Sequence, residues 1–222
     1  MSNKPNAKRS HCQKKSYSSI ESFSIKLTTT IESFIKKMAL RDTMTDFKSI
    51  IKEQREELEK IEREEKIVVR EKLEEAKKFL LFPNILAVLG VRRCGKSLFS
   101  YLLAKGKIAG YINFDDERLI GITAEDFDKI LGAFYELYGD PDYIILDEIQ
   151  NTKNWELFVN RLRRTKKVIV TGSNSRLLGG ELSTHLTGRY IDIALFPFSF
   201  REFLQKKDWK ESTAYTTKEK GE

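Results

Sequence analysis

Gly90-Val91-Arg92-Arg93-Cys94-Gly95-Lys96-Ser97 follows the apolar run Ile85-Leu86-Ala87-Val88-Leu89 and leads into Leu98-Phe99-Ser100-Tyr101-Leu102-Leu103. The spacing is G-x-x-x-x-G-K-[ST], with the flanks of a strand entering the loop and a helix leaving it. Glycines let such a loop curl until successive N–H groups point inward, and the helix aims the positive end of its dipole at the same spot. A polyphosphate fits that cradle, so all eight residues are expected to surround one. Lys96 should reach the β and γ phosphates as a point charge, and Ser97 should offer its hydroxyl to Mg2+. Cys94 reads as small loop filler, and Arg92 and Arg93 either add positive potential or face solvent.

Other polar residues fall just after apolar strands, as ligand-binding residues do in open α/β sheets. Tyr143-Ile144-Ile145-Leu146 is an uninterrupted apolar run of the kind a central parallel strand needs, and it stops at Asp147-Glu148. Asp147 suits the magnesium shell, and Glu148 is placed to orient and deprotonate an attacking water. Val168-Ile169-Val170-Thr171-Gly172 is followed by Ser173 and Asn174, small polar groups suited to contacting the γ phosphate or that water, although the same residues also serve as turn chemistry. Arg189, just before the run 190–195, is a candidate for stabilising transition-state charge on its own nucleotide or a neighbour's, with a surface role as the competing reading.

Strands are expected at 85–89, 108–114, 143–146, 167–171 and 190–195, with helices after the loop and around 155–162. This alternation predicts an α/β fold, a parallel sheet of about five strands sandwiched by helices. From Asp46 onward Phe47, Ile50, Ile51, Gln54, Leu58, Ile61, Glu65, Val68, Val69, Leu73, Ala76 and Leu80 step by threes and fours. That pattern fits one long amphipathic helix or two broken near residues 66–69, and Pro83-Asn84 ends it. Trp155 is read as core packing.

The 222 residues carry a net charge of +7. Residues 1–43 hold nine Lys or Arg against Glu21, Glu32 and Asp42, so nearly all of that excess belongs to one Ser/Thr/Lys-rich stretch and not to the folded part. Four segments follow: a disordered basic extension at 1–44, a helical segment at 45–82, a phosphate-loop core at 83–203 and a polar remnant at 204–222. Met44 is an alternative natural start. No apolar run approaches the roughly 20 residues of a membrane span, and the opening lacks the apolar stretch of a secretory signal, so a cytoplasmic location is expected. Cys12 and Cys94 make neither a disulfide framework nor a metal site.

The loop at 90–97, Ile112-Asn113-Phe114-Asp115, Leu146-Asp147-Glu148-Ile149-Gln150, Val170-Thr171-Gly172-Ser173, Leu186-Thr187-Gly188-Arg189 and Phe196-Pro197-Phe198-Ser199-Phe200-Arg201-Glu202-Phe203 together resemble the prokaryotic AAA-type ATPases of the AAA_14 family, over about residues 47–204. The resemblance implies an ASCE-type P-loop core using ATP and Mg2+. Lys96 and Ser97 would then belong to Walker A, Asp147 and Glu148 to Walker B, and Ser173 or Asn174 to the region of sensor 1. Such proteins commonly continue into a helical lid and a C-terminal DUF4143 domain, so 204–222 reads as a truncated lid. The expected activity is ATP hydrolysis that switches or drives a partner, a protein or DNA, with homo-oligomers compatible. The alternatives are a nucleotide-dependent binding module with little turnover and a nucleic-acid binder acting through the basic tail.

Overall fold

The computed structural model describes residues 46–173 and 186–207. The expected basic extension, Asn174, and most of the polar remnant lie outside those residues. Helix α1 (Phe47–Glu64) opens on Asp46, whose carboxylate caps the N–H groups of Lys48 and Ser49. It ends where Glu65 turns extended, and residues 66–70 run without regular structure into α2 (Leu73–Phe79). The β-branched run Ile67-Val68-Val69 sits at this break, so the two-helix alternative is the one adopted.

Five parallel strands follow: β1 (Ile85–Gly90), β2 (Ala109–Asn113), β3 (Tyr143–Asp147), β4 (Lys167–Gly172) and β5 (Tyr190–Leu195). Their order is β2-β3-β4-β1-β5. Helix α3 (Lys96–Leu103) joins β1 to β2, α4 (Asp126–Tyr138) joins β2 to β3, and α5 (Trp155–Leu162) joins β3 to β4. Helix α6 (Phe200–Lys206) comes after β5 and crosses the boundary expected at 204. α4 runs for 13 residues. Its apolar face, Phe127, Ile130, Ala133 and Phe134, is buried against the sheet.

Every residue of β1 is buried, and its side chains alternate between two cores. Ile85, Ala87 and Leu89 join the core under α1, α4 and α5, where Trp155 is fully buried and Phe127 stacks on Phe158 at 4.5 Å. Leu86 and Val88 join the core under α2 and α3. This two-sided burial is why the strands read as continuous apolar runs.

Helix α1 is stapled to the end of β2 by a buried amide. Gln54 donates through Nε2 to the Asn113 carbonyl (3.1 Å) and to Asp116 (3.0 Å), and accepts from the Asn113 N–H (2.8 Å). Asp116 in turn takes a two-pronged pair of hydrogen bonds from Arg118 at 3.0 and 2.9 Å. The Arg118 guanidinium above all, with Gln54 helping, holds the Asp116 carboxyl down to about 2. A carboxylate depressed in the native state contributes stability that is full above its unfolded value near 3.9 and is lost as pH falls through the native value.

Asp116→Asn is therefore expected to lower unfolding free energy at pH 7 by about 1 kcal/mol, a figure discounted for the half-exposed Arg118. By pH 3 the deficit should be about half as large. Urea titrations at the two pH values measure this, and an equal deficit at both would show that the pair does not titrate with folding.

Candidate functional site

The site is built at the carboxyl ends of β1, β3 and β4. At the end of β1 the chain must turn away from a neighbour almost in contact: a Cβ on Gly90 would stand 2.3 Å from the Leu195 carbonyl oxygen and 2.6 Å from Cys94 Sγ. Only glycine fits there. The turn is completed by Arg93 (φ 65°) and Gly95 (φ 91°), both left-handed. Gly95 leads α3 without a side-chain cap, which leaves the opening N–H groups of the helix directed at the loop.

Lys96 is 5% exposed. Its ammonium donates to the carbonyls of Gly90 (3.2 Å) and Val91 (3.3 Å) and pairs with Glu148 Oε1 at 3.0 Å. The other Glu148 oxygen accepts from Gln150 Nε2 at 2.6 Å. Glu148 itself has left-handed backbone angles (φ 50°, ψ 41°), a costly conformation for a non-glycine residue, and its N–H is held by Thr171 Oγ1 at 3.0 Å. The carboxylate therefore faces the loop, not the strand from which it emerges.

Asp147 is fully buried. The Tyr111 hydroxyl donates to it at 2.8 Å, Thr171 donates to its other oxygen, and Ser97 also hydrogen-bonds to it. Burial pushes its carboxyl up from the ordinary aspartate value, against the pull of those three hydroxyls. Burial, then the neighbouring Asp147 charge, pushes the Tyr111 phenol up as well, so Tyr111 stays a hydrogen-bond donor. Among the described residues no three His, Cys, Asp or Glu side chains converge as a metal cage. Ser97 and Asp147 supply hard oxygen atoms, and two such ligands suit Mg2+, which keeps much of its water and is commonly carried in on phosphates.

Of the residues expected at the site, Gly90, Lys96, Ser97, Asp147 and Glu148 come together. Ser173 is half-buried at the end of β4 on the same edge. Cys94 is buried under the loop as filler, whereas Val91, Arg92 and Arg93 are exposed, with Arg92 near Asp115 at 3.6 Å. Arg189 does not join them. β5 runs parallel to β1 with Tyr190 beside Ile85 and Leu195 beside Gly90, so Arg189 lies at the opposite edge of the sheet, roughly 16 Å from the loop at about 3.3 Å per residue. The alternative in which Arg189 acts on its own nucleotide is corrected by that register.

Three partners were missed by sequence reasoning. Tyr111 and Thr171 sit inside apolar strand runs, where a hydroxyl looks like a tolerated core residue, and only strand order sets both beside Asp147. Gln150 had a usable signal, standing two residues after Glu148. Beside the loop, a cavity of about 300 Å3 is lined mostly by apolar groups, including Val68, Gly95, Leu98, Leu102 and Phe198.

Residues 83–204 match the sequence model of AAA_14, described as an AAA domain. The chain is 37% identical over 147 residues to the uncharacterized protein MJ1544 of Methanocaldococcus jannaschii, covering 64% of this chain and 33% of that protein. It is 36% identical over 135 residues to an uncharacterized protein of Haemophilus influenzae, covering 56% and 34%. The chain thus spans about a third of the length of these curated relatives. Among solved structures it is similar to AMPPCP-bound DnaA from Aquifex aeolicus (19% identity, TM-score 0.45, 69% of this chain and 55% of that one). It is also similar to the STAND protein PH0952 from Pyrococcus horikoshii (15% identity, TM-score 0.39, 68% and 27%). With the family's sequence model matching more than half of its residues, the loop and both strand-end carboxylates included, the chain belongs to the AAA_14 family of AAA domains.

Proposed function

We propose that this protein binds ATP with Mg2+ and hydrolyses it, using the cycle to switch or drive a protein or nucleic-acid partner. The observation that carries the reading is the ion pair between buried Lys96 and half-buried Glu148, which joins the phosphate loop to the carboxylate at the end of β3. An incoming phosphate chain competes for Lys96, so binding and release of Glu148 become one event. Glu148, freed on the Lys96 side but still steadied by Gln150, accepts the proton of a water attacking the γ phosphate. Gln150 Oε1 is buried with no protein hydrogen-bond partner and suits a bond from that water. Mg2+ bound by Ser97 and Asp147 would neutralise phosphate charge. The purine fits the apolar cavity beside Gly95 and Leu98. Ser173, and by its place in sequence Asn174, supply polar contacts near the γ phosphate. Arg189, at the far edge, is assigned to a neighbouring copy's nucleotide. No helix among the described residues is long and apolar enough to cross a membrane.

One observation favours a second reading, a binding module with little turnover: both Glu148 oxygens are already engaged. Single substitutions separate the two. Lys96→Ala should weaken ATP binding at least about 100-fold by calorimetry, since it removes the one buried cation of the loop. Glu148→Gln should keep ATP affinity within a few-fold while turnover falls roughly 100- to 10,000-fold in a phosphate-release assay. Tight binding with no turnover in the wild type would establish the module instead.

If Arg189 serves a neighbour, Arg189→Ala and Lys96→Ala should each be inactive alone, and a mixture should regain part of the wild-type rate. A mixture as inactive as its components would overturn the assignment of Arg189 to a neighbour, and an Arg189→Ala variant as active as the wild type would remove Arg189 from the reaction.

A further inference from the structure

Arg70 lies in the extended link between α1 and α2, is 7% exposed, and reaches the outer side of the phosphate loop. Its Nη1 donates to the Cys94 carbonyl at 2.8 Å, its Nη2 donates to the Phe196 carbonyl, and its Nε donates to Glu202 Oε1 at 3.0 Å. The guanidinium also lies over the Phe198 ring, 5.0 Å from its centroid. Glu202, 4% exposed on α6, is itself anchored. Its oxygens accept the N–H groups of Glu71 (2.9 Å) and Ser199 (2.9 Å), and its own N–H donates to Ser199 Oγ (3.2 Å).

A loop that curls to turn N–H groups inward must turn carbonyls outward, and an outward carbonyl with no donor lets the curl relax. Cys94 supplies such a carbonyl in the middle of the loop. A flat guanidinium fork satisfies three acceptors at once from fixed directions, which a lysine ammonium on a flexible stem does not.

We propose that Arg70 is a positioning residue for the phosphate loop, braced by Glu202, so that phosphate affinity depends on α6 being docked. The proposal rests on the reading of residues 90–97 as a nucleotide site. It makes the segment before β1 and the helix after β5 part of the binding apparatus, although neither touches the phosphates.

The full chain and its Arg70→Gln, Arg70→Lys and Glu202→Gln variants would be titrated with ATP and with inorganic tripolyphosphate, alongside a melting curve for each. Arg70→Gln should bind both ligands about tenfold more weakly, and Arg70→Lys should recover only part of the loss. Glu202→Gln, nearly isosteric and confined to α6, should weaken both ligands about threefold, and should add nothing in the Arg70→Gln background. It keeps the test open if Arg70→Gln does not fold. Unchanged tripolyphosphate affinity in a folded Arg70→Gln variant, with or without a loss for ATP, would overturn the proposal, because Arg70 would then serve the cavity or the fold alone. Wild-type protein binding neither ligand would overturn the nucleotide reading itself, a different failure.

Discussion

The close approach of Gly90 to the Leu195 carbonyl is the constraint on which the rest depends. Strand β1 is held between β4 and β5 with all of its side chains buried, so its path is set before the loop begins. At its last residue there is no room for a Cβ, so the loop can start there only on a glycine. The left-handed residues Arg93 and Gly95 then bring the chain round to the start of α3. Loop shape is thus a product of sheet packing as much as of glycine content.

Charge is concentrated in that turn. Lys96 and Glu148 are removed from most of the solvent, and a buried pair offsets its desolvation only when further hydrogen bonds satisfy both partners. Two loop carbonyls and the Gln150 amide meet that requirement here. Asp147, one residue away, is handled differently, by hydroxyl donors and burial without a cation. Adjacent carboxylates therefore have distinct environments, one paired with the Lys96 ammonium and one surrounded by the Tyr111 and Thr171 hydroxyls.

The segments flanking the strands are drawn to the same place. The helical pattern from Asp46 onward is divided into two helices at a β-branched run, and the stretch between them carries Arg70 to the back of the loop. Glu202 meets it from α6, 132 residues later. A break that looks like a lapse in helical pattern is the feature that lets the two ends of the fold close on the phosphate loop.

Periodicity and motif spacing by themselves determined the strands, the helix at 155–162, the phosphate loop and the pairing of Asp147 with Glu148, because each depends on residues near one another in the chain. They did not determine what stands beside what. Tyr111 and Thr171 are ordinary strand residues until the order β2-β3-β4-β1-β5 places their hydroxyls on Asp147. Arg189 looked equally suited to its own nucleotide until the parallel register of β5 set it at the far edge. Arg70 and Glu202 were legible only as one charge in a helical pattern and one in a motif. Hydrogen bonds and ion pairs between distant segments depend on angstrom-scale placement, which is decided by how strands stack and where helices break.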